Sequence, residues 1–181
     1  MPVEPTSEGP IAVLVPIKAF RAAKHRLAPA LDADARAVLA KEMAATVLEA
    51  AGDLPVAVVC DDEEVATWAT ATTSTTVIER PGRGLNGAVT DGVTRLGQRG
   101  YARVIVAHAD LPHAVDLRWV AEFEGVTLVP DRRDDGTNVV CVPTSVTFRF
   151  SYGRGSFRRH ADEARRLGLA LHIDTTTPGS T

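Results

Sequence analysis

Five short apolar runs, interrupted only at Thr127, constrain this chain more than any other feature. They are Ile11 to Val15, Val56 to Cys60, Val104 to Ala107 (after Arg103), Val126 to Val129 and Val139 to Val142. Runs of this length with almost no polar alternation read as strands buried on both faces, the pattern of a sheet sandwiched between helices. Weaker strands are expected at Thr76 to Ile78, Thr147 to Phe150 and Leu169 to Ile173. Helical spacing fills the intervals. Asp32 or Asp34 can cap a helix whose apolar face is Val38, Leu39, Met43, Val47, Leu48 and Ala51, ending before Gly52. Further helices are predicted over about Glu63 to Ala71, after the glycine-rich turn Gly82 to Gly87 (Leu85, Val89, Val93, Leu96), over Leu117 to Phe123 and over Ser156 to Leu167. Strands alternating with helices imply βαβ units and an α/β domain with a mostly parallel sheet.

The bulk properties narrow the function. At 181 residues the chain is expected to form a single domain over 11–175, with disordered tails at 1–10 and 176–181. A net charge of −3 provides no basic field for a nucleic-acid backbone, so the local arginine clusters (Arg132-Arg133, Arg154, Arg158-Arg159, Arg165-Arg166) suit a small anion better than a polymer. No apolar run approaches the ~20 residues that span a bilayer. The first ten residues show no basic start followed by an apolar stretch, so a cytoplasmic protein is expected. Cys60 and Cys141 sit within apolar runs and are expected to be buried free thiols rather than a disulfide or metal pair.

Ligands of such sheets bind beyond the carboxyl ends of the strands. The loops that leave Val15, Cys60, Ala107 and Val129 all carry polar or charged side chains. After the first strand, Lys18, Lys24 and Arg26 put three cations at that edge, suited to a polyphosphate, although neither a P-loop nor a dinucleotide fingerprint is present. A solvated basic loop is the plainer alternative. After the fourth strand, Asp110 in Ala109-Asp110-Leu111-Pro112 is placed either to hold a divalent cation or to cap the next turn. Asp174, after the final strand, is a candidate second carboxylate.

Gly84 and Asn86 open a helix where backbone N–H groups can meet a base or phosphate. In Pro130 to Asn138, Asp131 begins a charged loop, Gly136 allows a close backbone approach, and Thr137 and Asn138 offer short polar groups, unless the segment is only a polar turn. Gly153 and Ser156 precede the last long helix, whose free N–H groups form a plausible anion seat. His160, one turn further on, reads as a partly buried structural histidine. No nucleophile with an adjacent base stands out. Cations, a carboxylate and glycine loops therefore point to phosphoryl or nucleotidyl transfer, where catalysis is positioning plus charge neutralisation.

Taken in order, Pro16-Ile17-Lys18, Lys24-x-Arg26-Leu27-Ala28, Gly84-Leu85-Asn86, Ala109-Asp110-Leu111-Pro112, Pro130-Asp131…Gly136-Thr137-Asn138 and Tyr152-Gly153-x-Gly155-Ser156-Phe157-x-x-His160 resemble the CofC/FbiD family over about residues 11–175. These are the guanylyltransferases of coenzyme F-420 biosynthesis, which act on 2-phospho-L-lactate or phosphoenolpyruvate. The resemblance implies a Rossmann-like three-layer α/β/α sandwich of the nucleotidyltransferase (GT-A-type) fold. It implies GTP and a small phosphorylated acid as substrates, with Mg2+ as cofactor. Lys18, Lys24 and Arg26 would face the GTP phosphates, and Gly84 and Asn86 the guanine. Asp110 and Asp174 would hold the metal. Thr137, Gly153 and Ser156, with Asn138 and Asp131 alongside, would bind the acid.

This chain differs from the family pattern at His108, where a small residue is expected, in the acidic pair Asp134-Asp135, and in its short segment after Asp174. Its alanine- and arginine-rich composition, associated with GC-rich genomes, tilts the expectation toward phosphoenolpyruvate. Another nucleotidyltransferase of the superfamily and a non-catalytic nucleotide-binding domain are the alternatives. Any oligomer is expected to be a two-fold homodimer.

Overall fold

The computed structural model describes residues 9–72, 76–79, 82–111 and 113–175. The expected tails therefore lie outside the described residues except for Gly9 and Pro10, as does Pro112. Seven strands appear in chain order: β1 (Ile11–Pro16), β2 (Val56–Cys60), β3 (Thr76–Glu79), β4 (Arg103–Ala107), β5 (Val126–Pro130), β6 (Thr137–Pro143) and β7 (Leu171–Ile173). They form one sheet ordered β3-β2-β1-β4-β6-β5-β7. Every pairing is parallel except those of β6, which runs against both β4 and β5.

Four helices cover the sheet: α1 (Ala33–Glu49), α2 (Glu63–Thr72), α3 (Gly84–Gln98) and α4 (Ser156–Arg166). Alternate residues of each central strand enter opposite cores. Val13, Val15, Ile105 and Ala107 join α1 and α2 on one face, whereas Ala12, Leu14, Val104 and Val106 join α3 and α4 on the other. Both faces are covered, which is why the strands read as continuous apolar runs. Each fully buried Val, Leu or Ile contributes about 1.5–3 kcal/mol.

Several local expectations are corrected by packing. Asp32 caps α1 by accepting from the N–H of Ala35 at 2.8 Å. The helix, however, buries Ala37, Ala40 and Ala44 with Val47 and Leu48, and leaves Val38 55% exposed. Small residues at this spacing bring the helix axis close to the sheet, which outweighs the greater hydrophobicity of the Val38 side. The same closeness appears in α3, where a Cβ on Gly92 would lie 2.7 Å from Leu14 Cδ2.

Thr147 to Phe150 is not a strand, although Phe148 and Phe150 are buried in alternation. The N–H of Arg149 donates to Glu163 Oε1 and that of Ser151 to His160 Nε2, so α4 side chains take the place of a neighbouring strand. The segment expected as a helix at Leu117 to Phe123 is a single 3-10 turn, Arg118–Ala121. The basic loop after β1 holds two more, Phe20–Ala22 and His25–Leu27, anchored by the buried Phe20 ring against Trp68. Among the described residues, no helix is long and apolar enough to cross a membrane.

Candidate active site

The carboxyl ends of β1, β2, β4, β5 and β7 share one edge of the sheet, and the antiparallel β6 begins there. Thr137 and Asn138 at the start of β6 are thereby brought beside the segment that leaves β4: the N–H of His108 donates to the Asn138 carbonyl at 3.1 Å. Two clefts meet at this point. One, of about 360 Å³, is lined by Pro16 to Lys18, Phe20, Lys24, Leu85 and His108 to Asp110. The other, of about 300 Å³, is lined by Asp131, Asp135 to Asn138, Tyr152 to Arg154 and Ser156, and it shares Leu85, His108 and Asp110 with the first. Asp110 therefore stands at the junction.

The first cleft is cationic. Lys24, held in the left-handed backbone region at φ 55°, donates from Nζ to Asp110 Oδ2 at 3.0 Å. Lys18 is exposed and borders both this cleft and a smaller recess formed with Cys60, Asp61 and Gly84. Arg26 is exposed in its 3-10 turn and borders neither cleft, so the structure groups two of the three expected cations, not three. Asn86 lies in the first turn of α3, where its Oδ1 accepts from the N–H of Tyr152 at 2.7 Å. That bond ties the α3 terminus to the rim of the second cleft, a link the sequence does not announce.

The second cleft is built by hydrogen bonds across the chain. Asp131 Oδ1 accepts from the N–H groups of Arg133 and Asp135, and the Asp131 N–H donates to the Gly136 carbonyl. Burial would raise the Asp131 carboxyl, but the N–H groups of Asp135, Arg133 and Gly136 together hold it below the ordinary carboxylate range. A Cβ on Gly136 would meet Asp131 Oδ2 at 2.8 Å, so this glycine makes room for the loop's own carboxylate.

Asp135 performs the matching task at α4. Its Oδ1 accepts from the N–H of Gly155 and its carbonyl from the N–H of Phe157, while the N–H of Ser156 donates to the Gly153 carbonyl. The helix start expected to be a free anion seat is thus largely satisfied by the protein itself. Most arginines of α4 are likewise engaged: Arg165 with Asp162, Arg166 with Glu163, and Arg159 with the carbonyls of Ser151 and Arg154. Asp135 was legible only as extra acidity in the loop, because its partners lie 20 residues away.

Beside the Asp110, Asp131 and Asp135 carboxylates, the second cleft is lined by groups able to donate hydrogen bonds. Ser156 Oγ accepts from the N–H of Thr137 at 3.1 Å, which leaves its own hydroxyl proton for the cleft. Thr137 Oγ1 lies 2.9 Å from His160 Nδ1. Among the described residues, no hydrogen bond engages the N–H of Gly153 or Arg154. Burial pushes His108 below the usual imidazole range, so it forms an uncharged wall between the clefts, edge-on to Tyr152.

Asp174 follows β7, which β6 and β5 separate from β4 in sheet order, and its N–H donates to the Leu128 carbonyl at 3.0 Å. Among the described residues, no group of three or more His, Cys, Asp or Glu side chains is arranged to hold a metal ion. Asp110 is the carboxylate common to both clefts, which suits a hard cation that takes its other ligands from substrate phosphates and water.

Comparison with known proteins agrees with this architecture. The family described as "Guanylyl transferase CofC like" matches residues 11–176. A phosphoenolpyruvate guanylyltransferase of Roseiflexus castenholzii is 32% identical over 163 residues, spanning 88% of this chain and 77% of that protein. Another, from Sphaerobacter thermophilus, is 34% identical over 167 residues (87% and 80%). A 2-phospho-L-lactate guanylyltransferase of Methanocaldococcus jannaschii is 25% identical over 166 residues (89% and 72%).

Among solved structures, a nucleotidyl transferase from Methanothermobacter thermautotroptrophicus superposes with a TM-score of 0.63 at 18% identity, covering 93% of this chain and 88% of that one. The mannosyltransferase PcManGT from Pyrobaculum calidifontis, in complex with GDP-Man and Mn2+, also gives 0.63, at 14% identity over 96% and 56%. These distant structures bear on the fold, which is the nucleotidyltransferase fold expected from the motifs. With the match spanning nearly every described residue, this chain belongs to the CofC-like guanylyl transferase family.

Proposed function

We propose that this protein transfers GMP from GTP to the phosphate of a three-carbon phospho-acid, releasing pyrophosphate, as a step of coenzyme F-420 biosynthesis. The observation that carries the reading is the meeting of two chemically different clefts at Asp110. One presents the ammonium groups of Lys18 and Lys24, suited to the triphosphate. The other presents hydroxyl and backbone donors, suited to a small phosphate and carboxylate.

In this reading an oxygen of the acid's phosphate attacks the α-phosphorus of GTP. A new P–O bond forms as the bond to the β-phosphate breaks, and pyrophosphate leaves. The attacking phosphate is already ionised near neutral pH, which agrees with a site that offers no paired base. Lys18 and Lys24 stabilise the negative charge gathering on the departing group. A divalent cation held by Asp110, which we take to be magnesium, would supply charge neutralisation between the two phosphate groups. Asn86 and Gly84 sit on the nucleotide side, Thr137, Asn138, Gly153 and Ser156 on the acid side. Asp131 and Asp135 act through the loop they hold.

Phosphoenolpyruvate is favoured as the acid, because relatives named for it are 32% and 34% identical against 25% for the phospholactate-named one. The proposal includes a cytoplasmic enzyme and association of two copies about a two-fold axis, the commonest oligomer. The test is pyrophosphate release with Mg2+ and GTP on adding phosphoenolpyruvate, 2-phospho-L-lactate or 3-phosphoglycerate singly, with ATP as control. Release with GTP and one of the first two acids is expected. A folded protein that binds GTP yet is silent with every acid would overturn the reading.

A further inference from the structure

Behind the wall of the acid cleft lies one fully buried imidazole, and its two nitrogens have different partners. His160 is 0% exposed, on α4. Its Nε2 lies 2.9 Å from the backbone N of Ser151, and its Nδ1 lies 2.9 Å from Thr137 Oγ1. A backbone N–H can only donate, so Nε2 must accept and carries no proton. A neutral imidazole has a single N–H, which is therefore on Nδ1 and donates to Thr137. With one lone pair of Oγ1 occupied by that donor, the Thr137 hydroxyl proton must turn away from the ring.

We propose that His160 is a positioning residue for the acid substrate: by holding the Nδ1–H tautomer it orients the Thr137 hydroxyl as a donor into the acid cleft. The inference rests on the function proposed above and adds a residue that does not itself line the cleft. The same ring sets the cleft's width. Through Ser151 it fixes the start of the loop that carries the Gly153 and Arg154 N–H groups, and through Thr137 it fixes the opposite side. Packing supports a single ring orientation, since Tyr152, Phe148 and Phe150 surround it with centroid separations of 5.0, 5.9 and 6.2 Å. Burial, with the nearby Arg159 charge, lowers its pKa to about 4, which keeps one proton on the ring at neutral pH.

The test exploits the different reach of two amides. His160→Asn places its amide near the Nδ1 position and can still donate to Thr137. His160→Gln reaches toward the Nε2 position, can accept from Ser151, and loses Thr137. The KM for the acid should rise about tenfold in His160→Gln, as for a weakened hydrogen bond to a charged group, and by clearly less in His160→Asn, which gives up only the Ser151 contact. The KM for GTP should be unchanged in both.

In a Thr137→Val background, His160→Gln should add nothing to the loss. Nitrogen-15 spectroscopy of the wild-type ring should find Nδ1 protonated and Nε2 bare. A protonated Nε2, equal losses for acid and GTP, or additive effects of the two substitutions would overturn the proposal. Absence of turnover by the wild-type protein would instead remove the function on which it rests. If His160→Gln fails to fold, the tautomer spectrum and the His160→Asn kinetics still decide the matter.

Discussion

Lowering the pH below about 6.5 should destabilise this protein through His160. The ring is fully buried, and burial with the Arg159 charge lowers its pKa from an ordinary 6.5 to about 4. Between these values the unfolded chain binds a proton that the folded protein refuses. Stability is therefore full above about pH 6.5 and falls as the pH drops toward 4. Integrating that proton uptake gives a loss of about 2.5 kcal/mol by pH 4.5 and about 3 kcal/mol at the limit.

Comparison with a variant separates this effect from ordinary acid denaturation. Arg166 holds the Glu163 carboxyl below its usual range, and the stability this gives is lost alike in both proteins as the pH falls into the carboxylate range. The assay is urea unfolding followed by circular dichroism between pH 7.5 and 4.5, for wild type and His160→Gln. The variant should be less stable at pH 7.5, because the ring's packing is lost, but its stability should fall with pH about 2.5 kcal/mol less than wild type's over this range. His108 is present in both proteins and cancels in the comparison. Parallel curves would refute the reasoning.

Asp110→Asn should reduce metal-dependent turnover by about 100-fold or more while changing stability by less than about 1 kcal/mol, since its partly exposed pair with Lys24 adds little to the fold; a thermal melt beside the kinetic assay checks both. Ser156→Ala should raise the KM for the acid about tenfold and leave that for GTP unchanged. Equal losses would remove Ser156 from the acid cleft. Gly92→Ala should cost about 1–3 kcal/mol in chemical denaturation, because the new methyl meets the fully buried Leu14 side chain; an unchanged midpoint would mean that α3 can move off the sheet.

Much of the site was legible because phosphate chemistry needs particular residue types at the ends of strands. Lys18 and Asp110 closely follow β1 and β4, with Lys24 later in the β1 loop, and a parallel strand delivers its carboxyl end to the ligand edge whatever the rest of the fold does. Thr137, Gly153 and Ser156 were legible from their motifs but not their roles. Which hydroxyl accepts from which N–H depends on residues 19 or more positions apart. Position in the chain said nothing of where Arg26 and Asp174 come to lie: the fold leaves Arg26 exposed in its turn and sets Asp174 after a strand that β6 and β5 separate from β4.

By itself, the amino-acid sequence determined the class of this protein. Apolar runs without alternation can be buried only between two helical layers, and strand–helix alternation makes the sheet mostly parallel. Tertiary structure alone decided that β6 runs antiparallel between β4 and β5, which carries Thr137 to the side of Asp110 and makes two clefts share one carboxylate. It also decided that Asp135 takes up N–H groups at the start of α4, and that one buried imidazole faces a donor on one side and a hydroxyl on the other. Hydropathy acts locally along the chain, whereas the partners of a buried polar group are chosen only when distant segments meet and each must be satisfied.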